Sequence, residues 1–173
     1  MSRFTGKLRL VLLDNRTHPS IRAGRSLWAI GEELTYEAGA ARDRITVPKG
    51  FVTDLASIPR AVWSIYPPDG PWVKAAAIHD FLYFTQGDGI WFKRRGVARA
   101  TPYDRREADD IFREAMEDRG IGGVTRTAIW TAVRLGGRKS WGRWRRGGPG
   151  HEAAKAGDAP ASAFDPHKDS GAA

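Results

Sequence analysis

In 173 residues, 28 lysines and arginines stand against 20 aspartates and glutamates, and cysteine is absent, so the formal net charge is +8. The length suits one domain with a core of ordinary size, expected over residues 1–146. The missing cysteine excludes a disulfide framework, a thiol nucleophile and a cysteine-based zinc site. A content of 41% hydrophobic and 10% aromatic residues excludes a chain disordered throughout.

The charge is concentrated. Arg119 to Arg146 holds eight basic residues and no acidic one, so the remainder is neutral overall. No run of about 18 uncharged apolar residues exists, which excludes a membrane-spanning helix. The apolar run from Leu8 to Leu13 is interrupted by Arg9 and closed by Asp14. It is too short and too polar for a signal-peptide core.

In chain order, Leu8, Leu10 and Leu12 alternate with Arg9, Val11 and Leu13, which predicts a mostly buried strand. Ser26 to Tyr36 is a second strand-like run. Arg44 to Val47, the break Pro48-Lys49-Gly50 and Phe51 to Thr53 read as strand, turn and strand. Ser57 as N-cap and Pro59 in the first turn predict a short helix reaching Ile65. After the break Pro67 to Pro71, a helix is expected from about Trp72 to Phe84. Its apolar residues run almost all round, so His79 and Asp80 must have partners or line an opening.

Thr85 to Tyr103 is polar and glycine-bearing, with a small hairpin expected around Ile90-Trp91-Phe92 and Gly96-Val97-Ala98. Asp104 and Glu107 form a capping-box pair that opens a second helix. Ala108, Ile111, Phe112, Ala115 and Arg119 fall on its stripe, with Met116 beside them, and Gly120 stops it. A third helix is expected from about Val124 to Leu135. From Gly147 onward glycine, alanine and proline dominate, predicting a disordered tail over 147–173. The fold class is therefore α+β: an N-terminal antiparallel β portion, then a three-helix portion, then the tail.

Tyr83 lies four residues after His79 and so shares its helical face. Asp109 lies at the edge of the second helix's apolar stripe. Two apolar helices packed antiparallel would turn Asp109 toward His79. Histidine titrates near neutral pH and can take a proton from water. A carboxylate on its other nitrogen fixes the tautomer and stabilises the imidazolium. A second carboxylate can hold a hard cation such as calcium, which polarises a carbonyl or phosphoryl oxygen. His79, Asp109 and Asp80 fit those three roles, and Tyr83 would hydrogen-bond one carboxylate. Asp54 is a further metal candidate or bonds the backbone of the Ser57–Pro59 turn. The alternative for the whole set is a buried polar network joining two helices.

His79-Asp80-x-x-Tyr83, followed by a helix bearing Asp109, resembles the core of the phospholipase A2 superfamily over about Val73 to Met116. That resemblance implies a catalytic His79 oriented by Asp109 and a calcium role for Asp80. The superfamily's glycine-rich calcium loop has no match before His79, and Gly70 alone stands in that place. A wider pattern joins Phe51-Val52-Thr53-Asp54-Leu55-Ala56-Ser57-Ile58-Pro59-Arg60, Ala76-Ala77-Ile78-His79-Asp80-x-Leu82-Tyr83 and Arg105-x-x-Ala108-Asp109-x-x-Phe112-x-x-Ala115-Met116. It resembles an uncharacterised family (domain of unknown function 1353) from tailed phages, prophages and bacteria, over residues 44 to 137. It implies a phage-type protein acting in the host cytoplasm or the virion, and no particular activity.

Arg126, Trp130, Arg134 and Arg138 recur every four residues, with Arg143 and Arg145 beyond. On one helix they would form a cationic-aromatic ridge suited to an anionic lipid interface. The same ridge suits non-specific phosphate-backbone binding. The alternative is a third helix that packs Trp130 into the core. Three function classes stay open: a His-Asp hydrolase of lipid or another ester, a non-enzymatic virion or assembly accessory protein, and a non-specific nucleic-acid binder.

Overall fold

A computed structural model describes residues 3–13, 27–39, 43–53, 55, 70–86, 102–138 and 140–141. Among these residues six strands come first: β1 (Phe4–Thr5), β2 (Leu10–Leu13), β3 (Leu27–Ile30), β4 (Leu34–Ala38), β5 (Asp43–Val47) and β6 (Val52–Thr53). Three helices follow among the described residues: α1 (Val73–Thr85), α2 (Arg105–Asp118) and α3 (Gly123–Gly136). The α+β order expected from the sequence is the order observed. The short helix after Ser57, the hairpin around 90–98, Asp54 and the tail over 147–173 lie outside the described residues.

The strands form two antiparallel three-stranded sheets, β1-β4-β5 and β2-β3-β6. In β4, Leu34, Tyr36 and Ala38 are buried while Thr35 and Glu37 are not. The partner strand β5 buries Ile45 and Val47 in register, with Tyr36 opposite Ile45 and Leu34 opposite Val47. This alternation is what a sheet with one core-facing side produces.

Two expectations change here. The run Ser26 to Tyr36 is not one strand, because Gly31, Glu32 and Glu33 separate β3 from β4 and each joins a different sheet. The Gly31 N–H donates to Arg9 O at 2.8 Å, which holds that corner against the start of β2. Strand β2 is also less buried than its alternation suggests, with Leu12 57% exposed. Among the described residues it is the terminal strand of its sheet and pairs with β3 on one side. Burial there is decided by position in the sheet, which local sequence does not encode.

Helix α1 buries Ala75, Ala76, Ala77, Ile78, Phe81, Leu82 and Tyr83, so it is enclosed on most sides as its composition predicts. It packs on β5, β6 and α2. The expected capping box opens α2: Asp104 Oδ1 accepts from Glu107 N at 2.8 Å, and Glu107 Oε2 accepts from Asp104 N at 2.9 Å. Ala108, Ile111, Phe112, Ala115 and Met116 are buried, but Arg119 follows the helix and is exposed rather than part of the stripe. Gly120, at a left-handed φ of 75°, ends that helix. The Tyr103 N–H bonds Gln86 O at 2.7 Å. The end of α1 thus meets the start of α2, and the two helices run antiparallel. Helix α3 packs on α2 through Ile129 and Val133.

Candidate functional site

The antiparallel pairing of α1 and α2 brings the expected group together. Asp109, 0% exposed, is the centre. Its Oδ1 accepts from His79 Nε2 at 2.8 Å and from the Tyr83 hydroxyl at 2.6 Å. Its Oδ2 accepts from Arg134 Nη1 at 2.7 Å, and Arg105 Nη1 lies 3.8 Å away. His79 and Tyr83 reach one oxygen because they are four residues apart on α1. Arg105 reaches the same carboxylate from one turn earlier on α2.

Burial by itself would raise the Asp109 pKa. The hydrogen bonds and charge of His79, with the bonds from Tyr83 and Arg134, outweigh burial and hold the carboxyl below its ordinary range. Burial, followed by the bond to Asp109, pushes the Tyr83 phenol far above its ordinary range. Asp109 is therefore ionised and can only accept, so the His79 nitrogen facing it carries a proton. In a neutral imidazole the lone pair is then on Nδ1. The ring is 2% exposed. It packs between Tyr83, with centroids 4.2 Å apart, and Phe112 at 4.7 Å.

The sequence missed Arg105, Arg134, Gly137 and Trp141 as members of this site. Arg105 carried a usable signal, the i,i+4 spacing to Asp109. Arg134 carried none, because its engagement depends on how α3 crosses α2. Arg105 Nη1 also donates to Arg134 O at 2.9 Å, which ties the two helices a second time. At Gly137 a Cβ would sit 2.6 Å from the Tyr83 hydroxyl oxygen, so only glycine lets α3 end against that side chain. Trp141 closes on Tyr83 edge-to-face at 4.9 Å.

Asp80 belongs to a different neighbourhood. The Thr53 hydroxyl at the end of β6 donates to its Oδ2 and accepts the Leu55 N–H at 3.0 Å. Leu55 holds a left-handed φ of 49°, a conformation few leucines adopt. Calcium asks for six to eight oxygens. Among the described residues no three histidine or acidic side chains gather to hold a metal ion. Asp54, the other candidate metal ligand, lies outside the described residues.

Of the expected cationic ridge, Arg126, Trp130 and Arg134 are engaged within the fold. Arg126 donates to Ile121 O and pairs with Glu117. Trp130 packs against the core under the Arg113 guanidinium, 5.3 Å from its ring centre. Arg134 is spent on Asp109. Arg138 alone of the four is exposed, and Arg143 and Arg145 lie outside the described residues. No helix among the described residues is long and apolar enough to cross a membrane.

A family model described as a protein of unknown function (DUF1353) matches residues 28–133. That stretch contains Thr53, His79, Asp80, Tyr83, Arg105 and Asp109 and stops one residue before Arg134. No curated protein and no solved structure matches the chain significantly.

Proposed function

The chain belongs to the family of proteins of unknown function DUF1353, and from its site we propose that it is a hydrolase of ester bonds, with lipid esters the leading substrate class. The observation that carries this is the 2.8 Å bond between His79 Nε2 and an ionised, fully buried Asp109. It supplies two of the things a general base needs, a fixed tautomer and a stabilised imidazolium. His79 Nδ1 takes a proton from water as the water oxygen bonds to the ester carbonyl carbon. The imidazolium then returns that proton to the leaving alkoxide as the ester C–O bond breaks. Asp109 orients the ring throughout, and Tyr83 and Arg134 hold Asp109.

A second reading is favoured by the 2% exposure of His79. In it the same residues only pin α1, α2 and α3 together, in a non-enzymatic virion or assembly accessory protein. A phage-type role in the host cytoplasm or the particle suits both. Non-specific nucleic-acid binding is the weakest reading, since Arg126 and Arg134 are engaged within the fold.

A screen of short-chain esters and phospholipid vesicles, with and without calcium, compares the natural chain with His79→Ala. Hydrolysis that falls by about 100-fold or more in the variant supports the general base. Equal rates, or none in either protein, favour the packing role.

A further inference from the structure

Helix α3 has two faces of opposite character. Its inner face carries Ile129 and Val133 into the core and Arg126, Trp130 and Arg134 onto α2 and its connections. Its outer face follows Val124, Thr127, Thr131, Leu135 and Arg138, at spacings of three and four residues, and all five are exposed. Val124 is 87% and Leu135 80% exposed, the two most exposed large apolar side chains among the described residues. From Val124 to Leu135, about 16 Å along the axis, this face carries no charge in a chain that is 28% charged.

Two arginines border the face. Arg138 stands exposed at one end of the apolar line. Arg113 of α2 flanks it, with its Nη2 3.5 Å from Thr127 Oγ1. Glu117, beside the same helix, is neutralised by Arg126. An uncharged, partly apolar helix face bordered by arginines complements a surface that is apolar beneath a layer of negative charge.

We propose that the outer face of α3 docks the protein on an anionic lipid surface, with Val124 and Leu135 entering the interface and Arg138 and Arg113 meeting headgroup phosphates. The docking is independent of the hydrolase reading, since it requires no reaction at His79.

The test uses the full chain and sedimentation with vesicles of phosphatidylcholine alone or mixed with phosphatidylglycerol. Binding is expected to the mixed vesicles and to weaken as salt is raised. The double variant Val124→Ser, Leu135→Ser should lose about tenfold in affinity while its thermal unfolding and any hydrolysis of a soluble ester stay unchanged. Arg138→Ala should weaken binding less. Equal binding to both vesicle types, no binding at all, or unaltered binding by the double variant overturns the proposal. So does a dimer in sedimentation velocity that the double variant dissociates, or an equal loss of affinity for a DNA duplex, because either assigns the face to another partner.

Discussion

Helix α2 carries two carboxylates that look alike at first. Asp109 accepts from a tyrosine, Tyr83, and an arginine, Arg134. Glu114 accepts from a tyrosine, Tyr36, at 3.3 Å and an arginine, Arg3, and also takes the Gly39 N–H at 2.7 Å. Both phenols are pushed well above their ordinary range, chiefly by burial. The Glu114 cluster is completed by Asp118, which accepts the Arg3 N–H at 3.0 Å, and it clamps the N-terminal strand onto the helix. What sets Asp109 apart is a histidine on one oxygen and complete enclosure. One helix thus bears a partly open structural clamp and a closed group that also holds a proton acceptor. The clamp serves as an internal control for the site.

The largest difference should appear on removing each carboxylate. Asp109→Ala takes a fully buried acceptor away from His79, Tyr83 and Arg134 and should cost about 3–5 kcal/mol, read from denaturant midpoints. Glu114→Ala breaks a pair whose arginine is 35% exposed and can turn to water, and should cost less, about 1–2 kcal/mol. Equal costs would show that enclosure is not what separates the two groups.

Next comes Gly137→Ala. The added Cβ meets the Tyr83 hydroxyl, so about 1–3 kcal/mol should be lost despite alanine's better helix propensity. Combining it with Tyr83→Phe should recover part of that loss, and a double-mutant cycle measures the coupling. Purely additive changes would mean that α3 shifts away instead of pressing on Tyr83.

The pH dependence sharpens the comparison at a smaller scale. The folded-state pKa of Asp109 lies below its unfolded value, so its contribution is present above the unfolded carboxyl pKa of about 4. That contribution is lost as pH falls through the folded value. Tyr36 and Tyr83 are shifted the other way, so their contributions are present below about pH 10 and fade as pH rises. Asp109→Asn should therefore flatten the acid limb of a stability-against-pH curve, soften the Tyr83 part of the alkaline limb that the Asp109 bond and charge support, and leave the Tyr36 part in place. An unchanged acid limb would remove Asp109 as its source.

The smallest effect is expected at Thr53. Thr53→Val deletes the hydroxyl that joins Asp80 to the Leu55 turn and should cost about 1 kcal/mol, with Thr53→Ser restoring most of it. A cost seen equally in the serine variant would point to the methyl group's packing instead.

How far these features were legible in the sequence follows from how local they are. The capping box at Asp104 and Glu107 and the α2 stripe lie within one helix and were readable. So was the meeting of His79, Tyr83 and Asp109, because two helices with apolar faces and a returning connection have few ways to pack. Arg134 was read as a surface charge, since nothing near it in the chain says that α3 turns it onto Asp109. Gly137 gave no sign, because its lack of a side chain matters only against Tyr83, far away in sequence. The division of Ser26 to Tyr36 between two sheets was likewise set by pairing partners outside the segment.

The most direct measurement is acylation of the folded chain by diethyl pyrocarbonate, with the modified histidines located by mass spectrometry. The reagent needs a neutral imidazole whose lone pair an electrophilic carbonyl can reach, which is the demand a general base must also meet. His18, His151 and His167 serve as the internal comparison. Reaction at His79 Nδ1, with hydrolysis lost in proportion, is the expected result. A His79 that stays unmodified while the other three react, with hydrolysis unaffected, would contradict the general-base role and leave the Asp109 group as packing alone.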